Sequence, residues 1–126
     1  MREPQKRKPV RFVGSSRSDL QRFPKEVKLV VGTALTAAQL GGKYADAKPL
    51  KGFGDASVVE IVDDFDRDTF RAVYTVRYEE AVYVLHVFQK KSKKGIETPR
   101  HDVELIRRRL DIARRWHEAF VQKGGG

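Results

Sequence analysis

The run TFRAVYTVRYEEAVYVLHVFQKKSKKGIETP, Thr69 to Pro99, decides how the rest of this chain must be arranged. Through Tyr78 its residues alternate, with Phe70, Ala72, Tyr74, Val76 and Tyr78 on one parity and Thr69, Arg71, Val73, Thr75 and Arg77 on the other. A period of two with aromatic and β-branched enrichment marks a strand that lays one face on a core. Ala81 to Gln89 reads the same way, and Glu79-Glu80 is the expected turn. A hairpin symmetric about that turn pairs Tyr78 with Ala81, Val76 with Tyr83, Tyr74 with Leu85 and Ala72 with Val87, an apolar set expected to be buried. The other face pairs Arg77 with Val82, Val73 with His86, Arg71 with Phe88 and Thr69 with Lys90. Opposed Cβ atoms lie ~5 Å apart and diagonal ones ~8 Å. Arg71, His86 and Lys90 are therefore expected on one side of a sheet. A one-residue slip would bury Arg71 and Arg77, so the apolar pattern holds the register.

Outward from the hairpin the elements alternate in kind. Val10 to Val13 is a short strand stopped by Gly14, and Ser18-Asp19-Leu20 is a plausible helix start. Pro24 can open a second helical segment at Lys25. Val27, Val30, Val31, Ala34, Leu35 and Ala38 recur at three- and four-residue spacing, the stripe of an amphipathic helix that Gly41-Gly42 ends. Lys43 to Gly54 is a loop, and Ser57 to Asp63 is a strand with Glu60 inside it. Glu60 is expected to partner Arg71 or Arg77. Asp64 to Asp68 is an acidic turn. Thr98-Pro99 reads as an N-cap followed by a proline in the first turn, and Val103, Ile106, Leu110, Ala113 and Phe120 form the buried stripe of a last helix. Asp102 and Glu104 suit the dipole of its first turn, and Trp116 is expected to pack. The fold class is α+β, with an N-terminal helical pair and a C-terminal helix on a four-stranded, mostly antiparallel sheet. The sheet face carrying Arg71, His86 and Lys90 is expected to be open. Residues 1–9 read as a basic flexible arm, 10–120 as the domain and 121–126 as a flexible tail.

Charge is distributed unevenly. The chain has 126 residues and a net charge of +9. Residues 1–11 hold five Lys/Arg against one Glu, residues 12–88 ten against eleven acids, and residues 89–126 eleven against five. A neutral middle with basic ends is a footprint for a polyanion; solvated terminal lysines are the plain alternative. There is no cysteine, hence no disulfide or thiolate chemistry. No apolar run approaches the ~20 residues of a membrane span, and the start of the chain lacks a signal-peptide apolar region. A cytoplasmic protein without membrane partners is the expectation.

No phosphate-cradling, dinucleotide-binding, zinc-protease or calcium-loop motif occurs. His86, His101 and His117 are too dispersed to share a metal, so no metal or cofactor is expected. Arg, Lys and His without paired carboxylates suit metal-free cleavage of a phosphodiester. Arg71 can hold a phosphate bidentately, His86 can exchange a proton near neutral pH, and Lys90 can neutralise the phosphorane or protonate the leaving oxygen. RNA is the expected substrate, because its 2′-hydroxyl is an internal nucleophile. Lys51, Arg77, Lys91, Lys93 and Lys94 are candidate contacts to its backbone. The competing readings are a satisfied sheet histidine for His86 and an ion pair with Glu60 for Arg71.

With those residues assembled, Val10 to Trp116 resembles the RelE/HigB superfamily of toxins from toxin–antitoxin modules, and within it the phage-derived RelE/HigB-like group. KPLKG at Lys48–Gly52, FRAVY at Phe70–Tyr74, YVLHVFQKKSKKG at Tyr83–Gly95 and the Thr98-Pro99 helix start carry the resemblance in order and spacing. The resemblance implies a ribosome-dependent mRNA endonuclease that uses no metal. It also implies a cognate antitoxin, a helix-turn-helix protein in HigA-like systems, which neutralises the toxin and with it represses the operon, so that operator DNA is met only through the complex. By the same likeness, Arg71 and Lys90 match an arginine and a basic residue that contribute to cleavage in the family. Val58, Glu60 and Val62 stand where relatives carry basic residues, and no tyrosine matches one that some members place in the last helix. Two other classes share the fold or charge map: gyrase-inhibiting ParE-like toxins, and non-catalytic RNA- or ribosome-binding proteins.

Overall fold

The computed structural model describes residues 7–90 and 98–124. Its elements in chain order are β1 (Val10–Phe12), α1 (Ser16–Gln21), α2 (Lys25–Gln39), β2 (Lys48–Pro49), β3 (Val58–Phe65), β4 (Asp68–Thr75), β5 (Val82–Lys90) and α3 (Arg100–Gln122). The sheet order is β1-β5-β4-β3-β2, with β1 parallel to β5 and the other pairings antiparallel. The α+β reading holds, with five strands instead of four. The added strand is the Lys48-Pro49 piece of KPLKG, which pairs with Glu60 and Val59. An edge position suits it, because proline cannot donate to a ladder on both sides.

α2 forms where the spacing predicts. Val27, Val31, Ala34, Leu35 and Ala38 are its buried stripe, and Pro24 precedes its first turn. That stripe packs on Val59, Ile61, Ala72, Tyr74, Val84 and Val87, so Ala72, Tyr74 and Val87 lie where the alternation predicts, whereas Ala81, Tyr83 and Leu85, expected beside them, are buried on the opposite face. β3 and β4 meet in a tight turn at Asp66 and Arg67, both with positive φ (49° and 73°), as a two-residue hairpin turn of matching twist requires.

The expected hairpin register holds at its open end, where Thr69 faces Lys90, Arg71 faces Phe88 and Val73 faces His86. It then shifts: Tyr74 faces Val84, leaving Leu85 as an extra residue. β4 ends at Thr75, so the expected pairs of Val76, Arg77 and Tyr78 do not form. The Thr75 hydroxyl instead accepts from the Tyr83 N–H at 3.1 Å. A bulge turns two consecutive side chains to one face. Leu85 joins a core with Ile106 and Ala113 of α3, while His86 reaches Asp102 of the same helix.

The face expected to be open is therefore covered. α3 lies on it and buries Val58, Val73, Tyr83 and Leu85 beneath Ile106 and Ala113. α1 and α2 lie on the other face, giving three layers with a core on each side of the sheet. The helix stripe also differs from the expected one: Asp102, Ile106, Ala113 and His117 are its buried residues, with Val103, Leu110 and Phe120 half-buried. Thr98 makes no cap; the helix begins after Pro99 without a side-chain cap bond. Lys8 and Pro9, placed in the arm by the sequence, join the fold. The Lys8 amide donates to Gln39 O at 3.0 Å, its ammonium donates to Tyr78 O at 3.0 Å, and the Pro9 carbonyl accepts from Val82. Among the described residues no helix is long and apolar enough to cross a membrane.

Candidate active site

β3, β4 and β5 bring Glu60, Arg71 and His86 under the first turns of α3. Glu60 faces Val73 and Arg71 faces Val62, so the two are diagonal neighbours on the α3 face. Arg71 Nη1 lies 3.2 Å from each Glu60 carboxylate oxygen. The Thr98 hydroxyl donates to Glu60 Oε2 at 2.7 Å and accepts from Arg71 Nη1 at 3.3 Å. Arg71 is 3% exposed, so this guanidinium is committed to an internal carboxylate. The ion-pair reading of the sequence describes its geometry. Taking a phosphate there would mean displacing Glu60.

His86 occupies a different neighbourhood. Its ring stacks on Phe88 two residues along the strand, with centroids 4.5 Å apart. Nε2 is 2.7 Å from Asp102 Oδ1, and Asp102 Oδ2 is 3.2 Å from the exposed His101 Nε2. Nδ1 is 3.5 Å from Arg109 Nη1. Burial pushes the His86 pKa below the ordinary histidine value; Asp102 opposes this and Arg109 adds to it. The ring lines an open groove of about 280 Å³ with Asp19, Arg22 and Phe23 of the α1 end and Val87, Phe88 and Gln89 of β5. The groove exists because β1 pairs only with Val82–Val84, leaving the outer side of β5 beyond His86 uncovered by strand among the described residues.

Lys90 is half-buried at the end of β5, opposite Thr69. Lys91, Lys93 and Lys94 lie outside the described residues. Lys51 is exposed in the turn after β2. Arg77 is exposed; its Nε donates to Ser57 Oγ at 2.9 Å and its Nη2 is 3.9 Å from Asp55. It lines a second groove, of about 260 Å³, with Phe53, Arg107, Leu110, Asp111 and Arg114, sharing no residue with the first. The expected trio shares one face of the sheet, with Arg71 opposite Phe88 and so diagonal to both His86 and Lys90, but its side chains take different partners. Arg71 is turned toward β3, and His86 toward the outer side of β5.

KPLKG acquires a structural explanation. Leu50 is buried in the α3-side core, and Gly52 takes φ +91° while its carbonyl accepts from Arg107 Nη2 at 2.8 Å. The matching sequence family extends across these elements: residues 18–111 match the family described as phage derived protein Gp49-like. The chain belongs to this family. That agrees with the phage-derived group to which KPLKG, FRAVY and LHVFQKK pointed. Among solved structures, this Gp49-like chain is similar to an arginine-to-alanine double mutant of the Escherichia coli toxin RelE in the free state. The identity is 18%, the coverage 64% of this chain and 81% of that one, and the TM-score 0.49. It is also similar to the RelBE2 toxin–antitoxin complex of Mycobacterium tuberculosis, at 20% identity, covering 72% of this chain and 100% of that one, with a TM-score of 0.45. No curated protein matches the sequence.

Reading by residue type missed Asp102, Arg109, Asp19 and Arg22. A signal for Asp102 was present: it stands four residues before Ile106, on the stripe that becomes buried, where an acid requires a partner. Arg109 carried none, being one of three consecutive arginines.

Proposed function

We propose that this Gp49-like protein is the toxin of a toxin–antitoxin module and acts as a ribosome-dependent mRNA endonuclease. The observation that carries the reading is His86: a buried imidazole, 7% exposed, whose edge lines an open groove, on the strand that ends at Lys90 just before the lysine-rich stretch of the sequence. RNA supplies its own nucleophile. The 2′-oxygen bonds to phosphorus, the bond to the 5′-oxygen breaks, His86 takes the 2′-hydroxyl proton, and Lys90 returns a proton to the 5′-oxygen. The products are a 2′,3′-cyclic phosphate and a 5′-hydroxyl, with no metal required. Arg71 serves the site by holding Glu60 and Thr98, and so the start of α3, in place; release from Glu60 on substrate binding would let it meet the phosphate. Lys51, Arg77, Lys91, Lys93 and Lys94 contact the RNA backbone. A cognate antitoxin neutralises the protein in the cytoplasm, and operator DNA is reached only through that complex.

The test is brief induction in a bacterial cell followed by mapping of mRNA 5′ ends. New ends within translated frames, lost when translation is blocked, are expected. Growth arrest with intact mRNA and altered plasmid supercoiling would instead assign a gyrase inhibitor.

A further inference from the structure

His86 is flanked by two groups with one hydrogen-bonding role each. A carboxylate only accepts and a guanidinium only donates. With Asp102 at Nε2 and Arg109 at Nδ1, the ring carries its proton on Nε2 and presents its lone pair at Nδ1. Both partners are held from outside the ring. Asp102 is buried at the start of α3 and also meets His101. Arg109 donates from Nη1 to Leu85 O at 3.0 Å and from Nη2 to Ser15 Oγ at 3.2 Å. Leu85 is the residue that the bulge adds to β5, and its carbonyl is an anchor that a regular ladder would not offer in this position. Gly14 makes room for the guanidinium: its φ is +60°, and a Cβ there would lie 2.8 Å from the Arg109 side chain.

We infer that Asp102 and Arg109 are positioning residues for RNA cleavage: together they hold His86 as the Nε2-protonated imidazole whose Nδ1 exchanges its long 3.5 Å contact with Arg109, which keeps its bond to Leu85 O, for the 2′-hydroxyl of RNA lying in the groove between α1 and β5, and takes that hydroxyl's proton. This rests on the RNA-cleaving reading above. Asp102 orients the ring and stabilises the imidazolium formed as the proton arrives. Arg109 favours the neutral ring before reaction and offers positive charge to the approaching phosphate. The charged groups around the ring are Asp102, His101 and Arg109 from α3, Asp19 of α1 and Arg22 just after it; β4 presents the uncharged Val73 opposite and, diagonally, Arg71 in its pair with Glu60 of β3.

The experiment is single-turnover cleavage of mRNA on programmed ribosomes across pH by the full-length wild type, Asp102→Asn and Asp102→Glu. Ring-nitrogen NMR of His86 and thermal unfolding accompany it. The wild-type rate should rise with pH through the His86 ionisation, and NMR should show Nδ1 unprotonated on the plateau. Asp102→Asn should slow cleavage roughly 100-fold, at the lower end of what a general base contributes, and move the inflection to lower pH, because the carboxylate that favours the charged ring is gone. Asp102→Glu should recover part of the rate. A folded Asp102→Asn protein with unchanged rate, or a slower one with an unmoved inflection, would overturn the inference, as would a proton on Nδ1 in the wild type. Absence of cleavage by the wild type would overturn the cleaving reading itself, a result distinct from cleavage that ignores Asp102.

Discussion

Arg71, buried, and Glu60, half-buried, form an ion pair across β4 and β3, with the Thr98 hydroxyl bridging the two beneath the start of α3. Removing one member of such a pair strands the other in a site with little water. Arg71→Ala should therefore destabilise the fold by about 3 kcal/mol, measured by denaturant unfolding. Arg71→Met combined with Glu60→Gln should be milder than Arg71→Ala alone. A loss of growth arrest in Arg71→Ala then bears on the proposed cleavage only in a sample shown to be folded; Arg71→Ala at wild-type stability would contradict the ion pair.

Gly14 joins backbone conformation to the site. An alanine there must adopt φ +60° and push on the guanidinium of Arg109. Gly14→Ala should lower stability by about 1–2 kcal/mol from the left-handed conformation alone. It should also loosen Arg109 from Ser15 and Leu85. Gly41→Ala, at φ +85° in open space, is the control: it should cost a comparable amount of stability while leaving the His86 ring-nitrogen signals unmoved.

A second buried histidine anchors the far half of α3. His117 Nε2 donates to Glu80 at 2.9 Å, Tyr83 O–H donates to Nδ1 at 3.0 Å, and the Tyr78 ring lies 4.0 Å away. Arg11 sits 5.0 Å over the Trp116 ring, so Trp116, expected to pack, stays at the surface and meets a cation instead of joining the core. In a double-mutant cycle, Tyr83→Phe and His117→Leu should show a coupling of about 1 kcal/mol, since each single change leaves a buried partner without its bond. Strict additivity would show that the hydroxyl and the ring do not interact.

Alkaline pH probes the α2-side core. Burial, with a smaller contribution from Tyr44, pushes the Tyr74 phenol from 10.0 up to about 12. A folded pKa above the unfolded one keeps stability intact below pH 10 and loses it as pH climbs from 10 toward 12. Burial also raises Tyr83, so both phenols steepen the decline. Tyr74→Phe should make the fall in unfolding midpoint between pH 10 and 12 shallower. An identical slope would rule out Tyr74 as a contributor.

Some of this was legible in the sequence because its signals are local. Alternation identified β4 and β5 and, up to the bulge, the face that α2 covers; the three- and four-residue spacing identified α2, and Glu60 was expected to find an arginine. Four consecutive motifs in order placed the chain near the family to which it belongs. The tertiary structure decided the rest. Period-two alternation assumes a continuous ladder, so the bulge at Leu85 was invisible; it is selected by two side chains that both have partners on α3. The side of the sheet on which α3 lies depends on the apolar area left exposed by α1 and α2. That choice buries the face that looked open, gives His86 its Asp102 and gives Arg71 its lid. Residue types supplied a histidine and a set of basic groups; packing determined which of them face one another and which face a groove.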